Sequence, residues 1–97
     1  NNVLPIAYKL HQNYPNPFNP TTSIKYDLPD QAHVEILIYD MLGRKVRTLV
    51  NQVQNAGYMS VNWNAANDVG EPVSAGVYIY TIEAGSYRET RKMIFLK

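Results

Sequence analysis

The 97-residue chain lacks cysteine altogether and has only two histidines, His11 and His33. It therefore has neither a disulfide framework nor a thiolate metal site, and no spacing of carboxylates around the histidines predicts an imidazole-based metal cage. We expect no metal, no cofactor and a single domain with a modest hydrophobic core.

Charged residues are also scarce. They make up 18% of the chain, below the usual quarter, and the formal net charge is only +1. This composition argues against a nucleic-acid partner, because binding to phosphates needs many cations. The 45% of apolar residues argues against disorder. The longest apolar run, Ile36 to Tyr39, is too short to be a transmembrane segment.

Apolar and polar residues alternate in several short runs, which indicates half-buried strands. Val34, Ile36 and Ile38 share one face of a run that leads to Asp40 and Gly43, whose spacing suits a type I turn with a glycine bulge. The predicted strands cover residues 22–28, 32–39, 45–50, 59–63, 77–83 and about 87–96, and the longest irregular segment is 64–76.

The last predicted strand has apolar residues on both faces, with Met93 and Phe95 on one and Ile94 and Leu96 on the other. Such a strand is either sandwiched or an exposed edge that a partner binds. The last twelve residues also carry a net charge of +3. This charge fits either a solvated edge or a tail that a partner recognises.

About seven short strands without helical periodicity predict an all-β fold, an immunoglobulin-like antiparallel β-sandwich with no disulfide. Trp63 is in phase with Met59 and Val61, which favours a core position over a sugar-stacking platform. The block NYPNPFNP excludes a helix or a central strand, and we expect Phe18 in it to plug one end of the sandwich. The expected structural positions are Asn13, Pro15, Asn16, Pro17, Phe18, Asn19, Pro20, Asp40, Gly43 and Trp63.

The sequence contains no constellation typical of catalysis. Ser74 and Ser86 lie in predicted turns, and neither histidine has a partner close in sequence. Asp68 and Glu71 share a loop that lacks the ladder of oxygen ligands of a calcium site. The run Ser74 to Gly76 has neither the glycines nor the following helix of a phosphate-binding loop. We therefore expect a protein that is not an enzyme.

Five segments in this order form a specific pattern: LHQNYPNPFNPTTSIKYDLP (10–29), VEILIYDMLGRKVRTLV (34–50), AGYMSVNWN (56–64), SAGVYIYTIEAG (74–85) and RKMIFLK (91–97). With them the chain resembles the type A C-terminal sorting domain of the type IX secretion system of the Bacteroidetes and related phyla. It departs from that family at Asn64-Ala65, where Asp-Gly often follows the tryptophan. The immunoglobulin-like domain of flagellar hook-capping proteins is similar through NYPNPFNP and GVYIY, and the ending on RKMIFLK favours the sorting domain.

The resemblance implies a single sorting domain over residues 1–97, with 1–9 as a linker remnant leading into it. It also implies a covalently fused N-terminal cargo protein, and the start at Asn1-Asn2 agrees with a piece of a longer chain. The expected partners are shuttle components, the type IX translocon and a sortase-like protease that removes the domain or joins the cargo to the surface. The expected location is the periplasm in transit, then the exterior or the outer-membrane surface. The alternatives are an immunoglobulin-like accessory domain and a carbohydrate-binding module of a secreted glycosidase.

An edge strand with apolar side chains on both faces suits recognition by strand addition. We expect the partner to contact the end of the chain and the strand predicted to pair with it. The residues of this expected surface are Gly76, Val77, Tyr78, Tyr80, Arg91, Lys92, Met93, Phe95 and Lys97.

Overall fold

The computed structural model describes residues 3–97 and forms two antiparallel sheets that face each other. The three-stranded sheet has the order β1-β2-β5 and the four-stranded sheet the order β4-β3-β6-β7. The predicted all-β, immunoglobulin-like sandwich is therefore confirmed. The strands are β1 (Lys9–Leu10), β2 (Thr22–Leu28), β3 (Ala32–Tyr39), β4 (Lys45–Gln54), β5 (Gly57–Trp63), β6 (Gly76–Ala84) and β7 (Tyr87–Phe95).

The core lies between the sheets and is built by the alternation that the sequence predicts. Each inner strand buries every second side chain, because successive side chains of a strand point to opposite faces. In residues 3–97 every buried polar side-chain atom has a hydrogen-bond partner. The largest fully buried side chains are Trp63, Tyr26, Tyr80, Phe18, Leu10, Ile24, Leu28, Ile36, Ile38, Ile82, Met93 and Val34.

The predicted turn between β3 and β4 is present. The Gly43 N–H donates to the Asp40 carbonyl over 3.0 Å, and Gly43 has a φ of +83° that favours glycine. The Asp40 carboxylate accepts the backbone N–H groups of Leu42 and Arg44. These bonds, foremost the one from the Arg44 backbone, lower the pKa of Asp40 below its usual value.

Strand β1 begins at Lys9, the last residue of the segment expected to lead into the domain. Lys9 pairs with Asp27 of β2, Leu10 is fully buried, and the Tyr8 ring stacks on Tyr87. Asn1 and Asn2, also part of the expected linker, lie outside the described residues. The alternation of a two-residue strand is too short to be detected in a sequence.

Across residues 3–97, no helix has the length and the apolar character needed to cross a bilayer.

Strand β4 continues beyond the predicted end at Val50 to Gln54. Its last residues include the exposed Val53. An edge strand such as β4 has one free side, so its alternation is weaker than that of a central strand.

Ala65, where the sequence departs from the family pattern, occupies the left-handed region with a φ of 59° and is 3% exposed. It is the second residue after β5, and the Trp63 Nε1–H donates to the Ala66 carbonyl over 2.8 Å. The turn is therefore made with an alanine in a conformation that costs an L-residue about 1–2 kcal/mol. The methyl group of Ala65 offsets part of this cost by packing in the core.

We expect Ala65→Gly to be nearly neutral, within about 1 kcal/mol, because relief of the left-handed strain offsets the lost methyl contact and the greater freedom of glycine when unfolded. The matched variant Ala66→Gly lacks this relief, since Ala66 is buried but has no positive φ. It should cost about 1–2 kcal/mol. Urea denaturation measures both, and equal losses would contradict the left-handed assignment.

Candidate functional site

The predicted recognition strand, β7, pairs with β6 along one edge, and residues 8–18 run beside the other edge. We call residues 8–18 the clamp. It runs parallel to β7, with the Tyr8 ring stacked on Tyr87 at one end and the Phe18 ring stacked on Phe95 at the other. The last strand is therefore held between β6 and the clamp.

Near its end, the outer edge of β7 is closed by backbone hydrogen bonds from the clamp. The Phe18 N–H donates to the Ile94 carbonyl over 2.9 Å, and the Leu96 N–H donates to the Phe18 carbonyl over 3.0 Å. The Asn16 side-chain oxygen accepts the Ile94 N–H over 2.9 Å. The Asn16 side chain thus provides a hydrogen-bond partner for the edge of β7 in a segment whose prolines have no N–H to contribute.

Closer to its start, side chains rather than backbone connect β7 to the clamp. Arg91 Nε donates to the Leu10 carbonyl and Gln12 Nε2 to the Lys92 carbonyl, each over 2.7 Å. Because backbone groups alternate in direction along a strand, those of Arg88 and Thr90 point to the same side as those of Ile94. Within residues 3–97 these groups have no hydrogen-bond partner, so this part of the edge is open.

The clamp is itself stabilised by Asn13, which is buried. Its side-chain amide donates to Thr22 Oγ1 over 3.0 Å and to the Pro15 carbonyl over 3.1 Å. Its backbone N–H donates to the Tyr80 hydroxyl over 2.8 Å, and that hydroxyl donates to the His11 carbonyl over 2.7 Å. Side-chain hydrogen bonds therefore replace the regular pairing that a proline-rich segment lacks.

Phe18 lies at one end of the sandwich, 2% exposed. Its ring centroid is 5.2 Å from that of Phe95 and 5.7 Å from that of Trp63. Trp63 is buried, not a surface platform, and meets the Tyr78 ring edge-on. Of the other expected structural positions, Pro15, Asn16, Pro17, Asn19 and Pro20 are exposed at the surface.

The structure divides the nine residues expected to be recognised. Gly76, Lys92 and Lys97 are exposed, and Val77 and Arg91 are half-buried. The remaining four side chains lie inside the sandwich, which corrects their expected place on the surface; they are Tyr78, Tyr80, Met93 and Phe95. A partner that binds the folded domain therefore cannot contact these four side chains directly.

The same placement decides which way the last strand faces. Ile94 and Leu96 point outward with 38% and 52% of their surface exposed. The apolar residues named from this strand in the sequence expectation were Met93 and Phe95 on its other face, because the two faces are equally apolar in sequence. The contact of Phe95 with Phe18 joins residues far apart in the chain, and no local pattern predicts it.

Two of the other side chains considered for chemistry have structural partners. His33 Nε2 lies 2.8 Å from Asn51 Oδ1. The Asp68 carboxylate accepts the Thr48 backbone N–H over 2.9 Å and lies 3.9 and 4.0 Å from Lys45 and Arg47. Within residues 3–97, no three histidine, cysteine or acidic residues are grouped closely enough to hold a metal ion.

A family model described as a secretion system C-terminal sorting domain matches residues 12–96. The chain belongs to this family. The match includes most of the clamp and all of β7, so the geometry above is that of a sorting domain. The chain is a C-terminal sorting signal of the type IX secretion system. The family of this signal is not catalytic. The signal implies secretion to the cell surface or the exterior.

Two solved structures have the same fold. Dimeric latent PorU from Porphyromonas gingivalis matches with a TM-score of 0.69 and 18% identity over 88% of this chain. PorZ, a surface component of the type IX secretion system of the same bacterium, matches with a TM-score of 0.61 and 22% identity over 93% of it. The sorting domain spans only 9% and 11% of those chains. A comparison with curated protein sequences gives no significant match.

We expect Phe18→Ala to destabilise the sorting domain by about 3–5 kcal/mol, because it removes a buried ring from between two aromatic neighbours. Tyr14→Ala, in the same segment but at an exposed position, should change stability by less than about 0.5 kcal/mol. Thermal unfolding followed by circular dichroism measures both. Equal melting temperatures for Phe18→Ala and the unchanged chain would rule out a structural role for Phe18.

Alkaline pH should also destabilise the domain. Burial raises the pKa of the Tyr80 hydroxyl from 10.0 to about 12, and burial likewise raises the pKa of Tyr26, Tyr78 and Tyr87. Between pH 10 and about 12 the unfolded chain loses the Tyr80 proton while the folded chain keeps it, so stability falls as pH rises. Below pH 10 both states keep the proton and this effect vanishes.

Urea midpoints at a series of pH values test this expectation. Tyr80→Phe should be less stable at neutral pH, since the Asn13 N–H loses its acceptor, but its stability should fall less steeply above pH 10. Tyr58→Phe, at an exposed position, serves as the control and should keep the full slope. If the stability of Tyr80→Phe fell as steeply above pH 10 as that of the unchanged chain, the raised pKa of the Tyr80 hydroxyl would be contradicted.

Proposed function

We propose that this domain directs a cargo protein, fused to its N-terminal side, across the outer membrane, and that the outward face of the β6–β7 hairpin is the surface recognised. The match of the sorting-domain family to residues 12–96 carries this proposal. We call this surface the recognition face. It consists of Gly76, Val77, Ile79, Lys92, Ile94, Leu96 and Lys97.

The chemistry of the recognition face supports its role. Ile94 lies beside Val77, and Lys92 beside Ile79, in the β6–β7 pairing. Apolar side chains are thus flanked by the ammonium groups of Lys92 and Lys97. Such a surface suits a partner with apolar pockets and carboxylates, which gain from burial and from charge complementarity.

The open edge of β7 offers a second mode of contact. The unpaired backbone groups of Arg88 and Thr90 accept an added strand, and alternate side chains then give specificity. The closed edge at Ile94 does not, since Asn16 and Phe18 occupy it. Strand addition by a shuttle or translocon component is therefore proposed at Arg88 and Thr90, since Gln12 already occupies the Lys92 carbonyl.

In this proposal the domain passes through the periplasm, is delivered by shuttle components to the type IX translocon, and is then a substrate of a sortase-like protease. Exposed Val3, Leu4 and Ile6 precede β1 and belong to no strand. Proteolysis favours exposed, unpaired chain, so this segment is the proposed site of removal. The cargo, once the domain has been removed, is released or joined to the outer-membrane surface.

The test uses a reporter protein fused ahead of the domain and expressed in a bacterium with a type IX system. Point substitutions are needed, because truncation before Arg91 also removes Met93 and Phe95 from the core. Lys92→Glu combined with Leu96→Asp should reduce the amount of extracellular reporter about tenfold or more. The first change reverses a charge on the recognition face, and the second places a carboxylate where the bound partner would bury it. The protein remaining in the cells is measured alongside.

Lys9→Glu combined with Val69→Asp is the matched control, with the same kinds of change at exposed positions away from the recognition face. It should leave export unchanged. Both double variants should melt within a few degrees of the unchanged domain. Normal export of the Lys92/Leu96 variant, with a normal melting temperature, would refute the recognition face.

A further inference from the structure

The outer surface of the three-stranded sheet, on the far side of the sandwich from the recognition face, contains an open cup with a volume of about 330 Å³. This volume lies at the small end of the range for ligand sites, which is about 300–1,000 Å³. The sorting function described above does not use this cup. Its lining residues are His11, Lys25, Asp27, Tyr58, Met59 and Ser60.

Strand pairing brings these residues together. Asp27 lies opposite Tyr58, and Lys25 opposite Ser60, in the β2–β5 register. Paired residues of antiparallel strands point to the same face, which here is the outer one. The His11 N–H donates to the Lys25 carbonyl over 2.9 Å, so the chain after β1 adds a third wall.

Only some of the polar groups that line the cup have hydrogen-bond partners within the protein. His11 Nε2 lies 3.0 Å from Asp27 Oδ1, which orients the carboxylate, and the Asp27 side chain is only 15% exposed. Within residues 3–97, no protein partner is present for Asp27 Oδ2, the Lys25 ammonium or the Tyr58 hydroxyl. The cup therefore holds a free acceptor, a free cationic donor and a hydroxyl that can act as either.

One wall of the cup is aromatic. This wall is the side chain of Tyr58, which is 64% exposed, whereas the next residue, Met59, packs against the core. An exposed aromatic ring beside a few converging polar groups is the composition of many small-ligand sites. The positive charge of Lys25 and the negative charge of Asp27 cancel, so the cup has no net positive charge that would favour a phosphate or another strongly anionic ligand.

We propose that this cup binds a neutral pyranose unit of a saccharide. A pyranose has a face of C–H groups that packs on an aromatic ring, and hydroxyl groups around its rim that both donate and accept hydrogen bonds. Tyr58 takes the C–H face. Asp27 accepts from one hydroxyl, and Lys25 donates to its neighbour.

The assignment differs from that of a carbohydrate-binding module built on Trp63, because Trp63 is buried in the core. It is also independent of the recognition face, which lies on the other sheet. A single shallow cup of this kind gives weak affinity, with a Kd of about 1 mM. The saccharide thus makes a contact additional to protein recognition.

Titration of the ¹⁵N-labelled 97-residue chain with cellotriose, maltotriose and chitotriose, followed by amide chemical shifts, tests the proposal. At least one of the three sugars should shift the amides of residues 25–27 and 58–60 in a saturable way. Tyr58→Ala should weaken that binding about tenfold or abolish it. Tyr14→Ala, which removes an exposed tyrosine that does not line the cup, should leave it unchanged.

Asp27→Asn should weaken binding several-fold while the spectrum stays that of a folded domain. Trigalacturonate, an anionic saccharide, provides the opposing probe. The proposal is overturned if none of the neutral sugars shifts these amides, if Tyr58→Ala binds as the unchanged chain does, or if only trigalacturonate binds. Reporter export in Tyr58→Ala should remain normal, so failure here leaves the proposed sorting role intact.

Discussion

The pair of backbone hydrogen bonds between Phe18 and β7 is the contact on which the rest of this sorting domain depends. The bonds to Ile94 and Leu96 hold the Phe18 ring against Phe95 and Trp63, so one residue closes a strand edge and fills the end of the core. The facing of the last strand follows, because Phe95 must point inward. The outward position of Ile94 and Leu96, on which the proposed recognition face depends, follows from that.

How much could be read from the sequence depends on how local each feature is. The bounds of β2 and β3 agree with the prediction, since their alternation is strict and turn residues end them. The facing of β7 could not be predicted, because both of its faces are apolar and the deciding neighbour lies far away in sequence. The cup could not be predicted either, because its walls come from two strands and from the chain after β1, and its residues show no common motif.

The proline-rich block shows how a segment without regular pairing becomes part of a fold. Asn13 and Asn16 supply through side chains the hydrogen bonds that a strand would make through its backbone. Buried hydroxyls do the same for the backbone, as Tyr80 does for His11 and Asn13. The expected structural role of the block rested on Phe18 and on its prolines, and the side chains of Asn13 and Asn16 add hydrogen bonds that this expectation did not include.

The parallel arrangement of the clamp and β7 also has a consequence for the order in which the protein is made. The clamp contacts residues about 80 positions later in the chain, and these contacts cannot form before β7 leaves the ribosome. Any domain fused ahead of the clamp is translated earlier. A closed sandwich can thus exist only on a polypeptide in which everything ahead of the clamp has already been synthesised.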